Sequence, residues 1–417
     1  MVSFRRLLRP ALVPGLWLAL ASIAPAQELT PEIKSAVLAR MGKIVTERAF
    51  ASGADFSKWP EFVKEYQGEI DKAATNDEFA QAINAALRKF GFSHIMLHTP
   101  QQARARVDRK QVGIGVRIFP HEEGLLVVDV IEGGPAKAAG IAPQDILVEA
   151  NGKKIEDTTQ VAGDEGTEVE IKVKRPDGSF KVFNIVRKAF STVMPETVEF
   201  PKPDTAVLKV PTFDLGYNAR RVTELFQQIE EKQPKNLVLD LRSNGGGAVM
   251  NMLHLLNKVL PPDTEIGAFV SKDQVEAFAE ETKGDAKDVV AVAKWVPAKV
   301  KTWDTGQFYF KGHIAVLVNG ASGSASEIVA AALKEKAGSP VIGSRSAGAV
   351  LASLIMPISH GWHLQFPVTD YVTIGGLRIE GNGVQVDHEA PMPRPFEKDL
   401  GLEKALEVLT TLARRDG

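Results

Sequence analysis

Asn319-Gly320-Ala321-Ser322-Gly323-Ser324-Ala325-Ser326-Glu327-Ile328 follows an apolar run at 314–318 that reads as a buried strand, and it leads into a helical pattern over 326–336. Strand, small-residue turn and helix in that order form one unit of an α/β fold. Small side chains let the backbone turn tightly and let a second chain approach closely. A serine in this turn lies near a helix N-terminus, whose free N–H groups stabilise a developing oxyanion. The same position suits a helix cap, and Ser326, just before an acidic first turn, fits that role. From these residues alone, Ser322, Ser324 and Ser326 are each either a nucleophile or a cap.

Working outward, the unit repeats. Leu237-Val238-Leu239-Asp240-Leu241 is a buried strand that runs into Arg242-Ser243-Asn244-Gly245-Gly246-Gly247, and a helix is predicted over 249–260. Such a turn presents backbone N–H groups to an anion. The full spacing of the dinucleotide and phosphate-loop fingerprints is absent. Further strands at 205–210 and 341–343, with helices at 217–232 and 402–414, complete an α/β region from residue 191 onward. Upstream, 111–187 reads as a small all-β unit with tight turns at Asn151-Gly152 and Asp177-Gly178 and one short helix at 136–139. Residues 30–89 carry apolar positions at helical spacing and end at Gly91, a suitable stop. Phe92-Ser93-His94-Ile95-Met96-Leu97 then follows as a loop or strand.

The 417 residues allow two or three domains, and 44% hydrophobic with 24% charged residues is ordinary for a soluble globular chain. A net charge of -2 without a basic stripe argues against nucleic acid as the main partner. Arg5, Arg6 and Arg9, a short apolar stretch, and Ala24-Pro25-Ala26 form the pattern of an export signal over 1–26, with Gln27 as the mature start. The expected location is therefore the periplasm or the secreted fraction, with no stable membrane span once the signal is removed. The chain has no cysteine, which excludes disulfides, a thiol nucleophile and thiolate metal ligands. A serine nucleophile needs a base. Among eight histidines, His94 sits in the compact Gly91-Phe92-Ser93-His94 stretch, while His98, His360, His363 and His388 remain candidates and His254 lies in an amphipathic helix. No pair shows clear metal spacing.

Taken together, Asp240-Leu241-Arg242-Ser243-Asn244-Gly245-Gly246, Gly323-Ser324-Ala325-Ser326-Glu327-Ile328, Gly343-Ser344-Arg345-Ser346-Ala347-Gly348-Ala349 and Glu380-Gly381-Asn382-Gly383-Val384 resemble the C-terminal-processing (tail-specific) serine protease family. That resemblance implies an α/β fold with a crotonase/Clp-like β–β–α catalytic core. It implies Ser324 as nucleophile, with an oxyanion hole from Ala325 and either Gly245 or Gly246. The best-known branch uses a serine–lysine dyad, whose lysine would fall at Ala349; Lys334 and Lys336 do not replace it in register. A second branch, which includes the tricorn proteases, uses a Ser–His pair from the N-terminal side and a Glu from the C-terminal side. Ser93-His94 and Glu380 match it, so His94 is the expected base, oriented by Glu380 through Ser93.

The β-rich insert resembles a PDZ domain. Gly113, Ile114 and Gly115 match its carboxylate-binding loop, and Gly134-Pro135-Ala136-Lys137-Ala138-Ala139-Gly140-Ile141 a later segment. Such a groove takes a substrate C-terminus by strand addition. Residues 158–164 leave room for only a short second PDZ helix, or none. The expected layout is a signal at 1–26, a helical region at 27–107, a PDZ-like domain at 108–188 and a catalytic domain at 189–417. The expected function is endopeptidase action on unfolded or C-terminally exposed proteins, with no cofactor or metal required. Two other classes fit parts of the pattern: a non-catalytic binding protein on the same fold, and a crotonase-like acyl-CoA enzyme, which an export signal and a PDZ-like insert disfavour.

Overall fold

The computed structural model describes residues 29–415; the export signal read at 1–26 lies outside them. The C-terminal part is built on a six-stranded sheet in the order Thr197–Lys202, Thr205–Lys209, Asn236–Asp240, His313–Val318, Val341–Gly343, His388–Glu389. Its first pair is antiparallel and the rest are parallel. Asn236–Asp240 is buried throughout, as its unbroken Leu-Val-Leu run requires of a strand covered on both faces. Helix Ala219–Lys232 and helix Ala325–Ala337 pack into the main core with Val222, Phe226, Ile229, Ile328, Val329 and Leu333. Helix Leu400–Arg415 covers the other face through Ala405 and Leu409.

A second sheet, entirely antiparallel, joins Met96–His98, His363–Thr373, Glu265–Ser271 and Val300–Lys301, with Ala352–Pro357 also paired to His363–Thr373. Its first strand comes from the N-terminal region. This explains how His94, distant in sequence, reaches the cavity that Ser324 also lines. The sequence reading at 30–89 is broken in the structure into Pro31–Arg48, Trp59–Glu65, Gln67–Lys72 and Asn76–Arg88, and Pro100–Asp108 follows. Thr75 and Glu78 form a capping box that restarts the helix. The first four of these helices share one core with Leu364 and Phe366 of the second sheet and with Leu351 and Trp362 beside it, and Phe79 meets Trp362 edge-on at 5.3 Å. The N-terminal region is thus fused to the C-terminal part through one core. Among the described residues, no helix is long and apolar enough to cross a membrane.

The β-rich insert stands on a two-stranded stalk, Lys110–Gly113 against Lys188–Ser191. Its sheet runs Val116–His121, Gly124–Val130, Ile146–Ala150, Glu168–Lys174, Phe180–Val186. Ile114 and Gly115 hold the second segment in place: Ala136 N–H donates to Ile114 O at 2.7 Å and Ile131 N–H to Gly115 O at 3.0 Å. The second helix is reduced to a three-residue 3₁₀ turn, Thr158–Gln160. The Val116–His121 edge therefore lacks the helical wall that would close a peptide groove.

Candidate active site

The turn after His313–Val318 is cross-tied to the glycine turn of the neighbouring strand. Asn319 Oδ1 accepts from Ser243 N–H at 2.9 Å and from Ala321 N–H at 3.1 Å. Ser322 is fully buried; its hydroxyl donates to Leu241 O at 2.8 Å and accepts from Asn319 N–H at 2.9 Å. Ser322 is therefore a brace between the two loops. Gly323 N–H donates to Asn244 O at 3.0 Å. The helix begins at Ala325 with Ser324 as its N-cap residue, so Ser326 does not cap it: Ser326 lies inside the first turn, and its hydroxyl is buried without a partner. The acidic residue that suggested a cap at Ser326 instead folds back on Ser324.

Ser324 has φ 55 and ψ -119, a strained backbone for a residue with a Cβ, of the kind that costs roughly 1–3 kcal/mol and needs its surroundings to hold it. Its N–H is shared between Ala349 O at 2.8 Å and Glu327 Oε2 at 3.0 Å. Buried Glu327 also accepts from Ala349 N–H at 2.9 Å, Gly348 N–H at 2.7 Å and the Ser346 hydroxyl at 2.6 Å. Burial pushes its carboxyl up, and these donors pull it back. In the sequence Glu327 is an ordinary acidic first-turn residue, and only the fold shows it buried.

Gly246 packs directly on the serine. A Cβ there would lie 2.6 Å from Ser324 Cβ and 2.9 Å from Ala325 N, and its φ is 96. Gly246→Ala is therefore expected to cut turnover by at least about a hundredfold, the scale of losing an oxyanion donor, as measured by peptide hydrolysis beside a thermal melt. The Gly246 N–H itself donates to Asn244 Oδ1 at 2.9 Å. Asn244, fully buried, also donates through Nδ2 to Val210 O at 2.8 Å, and so fixes the turn.

Ser93 and His94 arrive from the N-terminal side. Ser93 N–H donates to Glu380 Oε1 at 2.8 Å and Ser93 Oγ to Glu380 Oε2 at 2.9 Å. His94 Nδ1 lies 2.6 Å from Ser93 Oγ. Glu380 is 6% exposed, and its Oε2 also takes Val350 N–H at 2.8 Å. An ionised carboxylate only accepts, so the one Ser93 hydroxyl proton goes to Glu380, and Ser93 Oγ accepts from His94 Nδ1–H. That leaves Nε2 of His94 with a free lone pair, as a general base requires. Burial lowers the His94 pKa, with the Glu380 charge pulling it partly back, so the ring is neutral at neutral pH.

His94, Ser324, Ala325 and Gly245–Gly247 line one cavity of about 640 Å³. Val249, Met252, Phe269 and Ile328 give it apolar walls, and His98, Arg106, Asp214 and Gln365 a polar side. His98 has a buried Nε2 without a partner. His254 is held between Tyr217 and Thr223 at 2.7 and 3.2 Å, a packing role. Lys334 is tied to Gln385 O at 2.9 Å and Asp387 at 2.8 Å, and Ala349 occupies the place beside the Ser324 N–H. The linker helix Pro100–Asp108 reaches the same cavity. Arg106 grips Asp214 at 2.9 Å, and Phe213 bonds to Gly246 O and Ala248 N–H at 2.9 and 2.8 Å.

Residues 204–390 match the model of peptidase family S41, and residues 112–185 match that of a PDZ domain. The fold is that of the S41 peptidases. It is a serine-type peptidase fold, with the PDZ domain inserted ahead of the S41 domain. The chain is 27% identical over 289 residues to the carboxy-terminal processing protease CtpA of Bacillus subtilis, covering 67% of this chain and 56% of that protein. To CtpB of the same organism it is 24% identical over 357 residues, covering 82% and 69%. The match thus spans little more than half the length of CtpA. The solved structure of a Bacteroides fragilis protein assigned to the S41 proteases superposes with a TM-score of 0.57 at 16% identity, over 82% of this chain and 93% of that one.

Proposed function

We propose that this S41 protein is an exported serine endopeptidase in which Ser324 attacks the peptide carbonyl and His94 is the general base. The observation that carries the reading is the relay from His94 Nδ1 through Ser93 Oγ to Glu380, beside an S41 serine turn whose Ala349 offers no lysine. In acylation the Ser324 Oγ–H proton passes to His94 Nε2 as the C–O bond forms. The carbonyl oxygen becomes an oxyanion facing Ala325 N–H and an N–H of the glycine turn. With Gly246 N–H held by Asn244, Gly245 and Gly247 are the donors left there. Collapse breaks the C–N bond, and His94 returns the proton to the leaving amine. Water, deprotonated by the same nitrogen, then hydrolyses the ester. Glu380 and Ser93 keep the ring in one tautomer and stabilise its charged form.

The substrates we assign are proteins with accessible or unfolded C-terminal segments. The relatives' names and the PDZ domain support this, and so do the apolar cavity walls. With only a 3₁₀ turn at Thr158–Gln160, the loop at Gly113, Ile114 and Gly115 holds a chain end weakly. Glu380→Gln tests the relay. Activity requires neutral His94, so it falls as pH drops through the His94 pKa, a limb below the usual 6.5. The Glu380 charge raises that pKa, so its removal moves the limb to lower pH, and the plateau falls about a hundredfold or more. A pH profile of kcat/KM with an unmoved limb and an unchanged plateau would remove Glu380 from the mechanism.

A further inference from the structure

The second sheet leaves one edge open beside the candidate nucleophile. Strand Ala352–Pro357 pairs with His363–Thr373 and, among the described residues, with no other strand. Hydrogen bonds elsewhere on the sheet fix which of its backbone groups are free. Asn84 takes both the N–H and the C=O of Leu97, at 2.7 and 3.0 Å, so Leu97 points away from its partner Leu364. By alternation, Met96 and His98 bond to Gln365 and His363. Gln365 and His363 spend their groups on that side, so Ile355 and Pro357, which face them on the other, form no ladder bonds with them. Pro367 gives the same answer for Ser353, since its carbonyl accepts from Phe50 N–H at 2.9 Å, away from Ser353. Ser353 and Ile355 therefore direct N–H and C=O outward, and Pro357 its C=O alone. That edge faces the site: residues 350–355 run consecutively along the wall of the cavity that Ser324, Ala325 and the glycine turn also line. The stretch begins at the serine, where Ala349 O holds the Ser324 N–H and Val350 N–H binds Glu380.

We propose that the substrate enters as an added strand, antiparallel to Ala352–Pro357, with the residues that precede the cleaved bond paired to Ser353 and Ile355. This rests on the reading of Ser324 as nucleophile. The direction follows from the sheet, which is antiparallel throughout; antiparallel addition continues it with the more stable ladder. The chain then runs from the Pro357 end towards Ser324, so the acyl part stays paired while the ester forms and hydrolyses. The occupant is an extended stretch of polypeptide, because closing such an edge takes a chain whose own N–H and C=O groups are free. Substrate residues opposite Ser353 and Ile355 place their side chains on the cavity face beside Gln365, whose Nε2 donates to Ser353 Oγ at 2.9 Å. The residues between them lie beside Leu354, which is 42% exposed. Pairing through the backbone leaves side-chain choice loose, yet it excludes folded or helical segments and proline at the paired positions. The Val116–His121 edge of the PDZ domain, interrupted by Pro120, offers no comparable ladder.

The test is a peptide series on the wild-type protein. An unstructured parent peptide with one cleaved bond is compared with analogues in which a single backbone N–H before that bond is replaced by an ester oxygen, and cleavage at the original bond is followed by mass spectrometry. kcat/KM is expected to fall about three- to tenfold at alternate residues only, the residue between them staying close to the parent. Replacements after the bond should show no alternation. Ile355→Pro deletes one outward N–H and spares the ladder to His363–Thr373, so it should lower kcat/KM on the parent about fivefold or more with little change in melting temperature. Fluorophosphonate labelling of Ser324, which involves no peptide backbone, keeps the two readings apart. A labelled protein whose peptide cleavage is absent, or shows no alternation before the bond, overturns strand addition and leaves the nucleophile standing. A protein that neither labels nor cleaves overturns the nucleophile, and this inference with it.

Discussion

His94→Asn is expected to lower kcat/KM on an unstructured peptide by about a thousandfold or more, with the melting temperature nearly unchanged. The size follows from the role: positioned general bases contribute roughly 10²–10⁴-fold, and here one nitrogen serves in both half-reactions. Asparagine is the informative replacement because His94 has φ 57, a conformation that Asn tolerates better than most residues. Asparagine keeps a polar group beside Ser93 and removes the ring nitrogen that takes the proton. His98 lines the same cavity but has no carboxylate relay behind it, so His98→Asn should leave far more activity. Equal losses in the two variants would mean that the relay is structural. Steady-state kinetics at two pH values, with a melt for each variant, separates these results.

Glu327→Gln is expected to destabilise the fold by about 3 kcal/mol and to cut kcat together with it. The Glu327 carboxylate accepts from Ser324 N–H and Ala349 N–H on one oxygen, and from Gly348 N–H and the Ser346 hydroxyl on the other. A glutamine amide can accept at one oxygen only. Its NH₂ would face two donors in a buried site, each left unpaired at about 1–3 kcal/mol. The damage falls on the segment that carries Ala349, whose carbonyl takes the Ser324 N–H, and Val350, whose N–H binds Glu380. One side chain therefore sets both the strained serine and the stretch that holds the relay's carboxylate. Urea unfolding gives the first effect, and kinetics in the folded range the second. A variant of native stability and activity would show that these four hydrogen bonds carry no net weight.

Local pattern was sufficient for the parts of the fold that one stretch of chain decides. The buried strand ending at Asp240, the glycine turn after it, the Ser324 turn and the β-rich insert all announce themselves through period and turn chemistry. The shortened PDZ segment at 158–164 was likewise legible as too few residues for a helix. What local pattern could not supply was pairing across the chain. Ser93 and Glu380 are 287 residues apart, and no periodicity joins them; only the likeness to a known catalytic set did so. The long strand His363–Thr373 and its partner Ala352–Pro357 carry no strand signature, because polar and apolar residues do not alternate cleanly there. The sheet is buried on one side by the N-terminal helices and opens into the cavity on the other. Local pattern likewise marks no elements over 261–312, where the structure has strand Glu265–Ser271 and helices Lys272–Thr282 and Val289–Trp295. The acidic residue at 327 suggests a cap at the adjacent Ser326, whereas in the structure Glu327 turns inward to accept from Ser324 N–H.

The proposed mechanism stands on Ser324 as an activated nucleophile served by His94. Intact-mass analysis of the mature protein after exposure to a fluorophosphonate tests it most directly, with Ser324→Ala and His94→Asn alongside. One adduct is expected in the wild type, located on Ser324, absent in Ser324→Ala and formed far more slowly in His94→Asn. A folded wild type that takes up no probe, or an adduct that persists in Ser324→Ala, would contradict it.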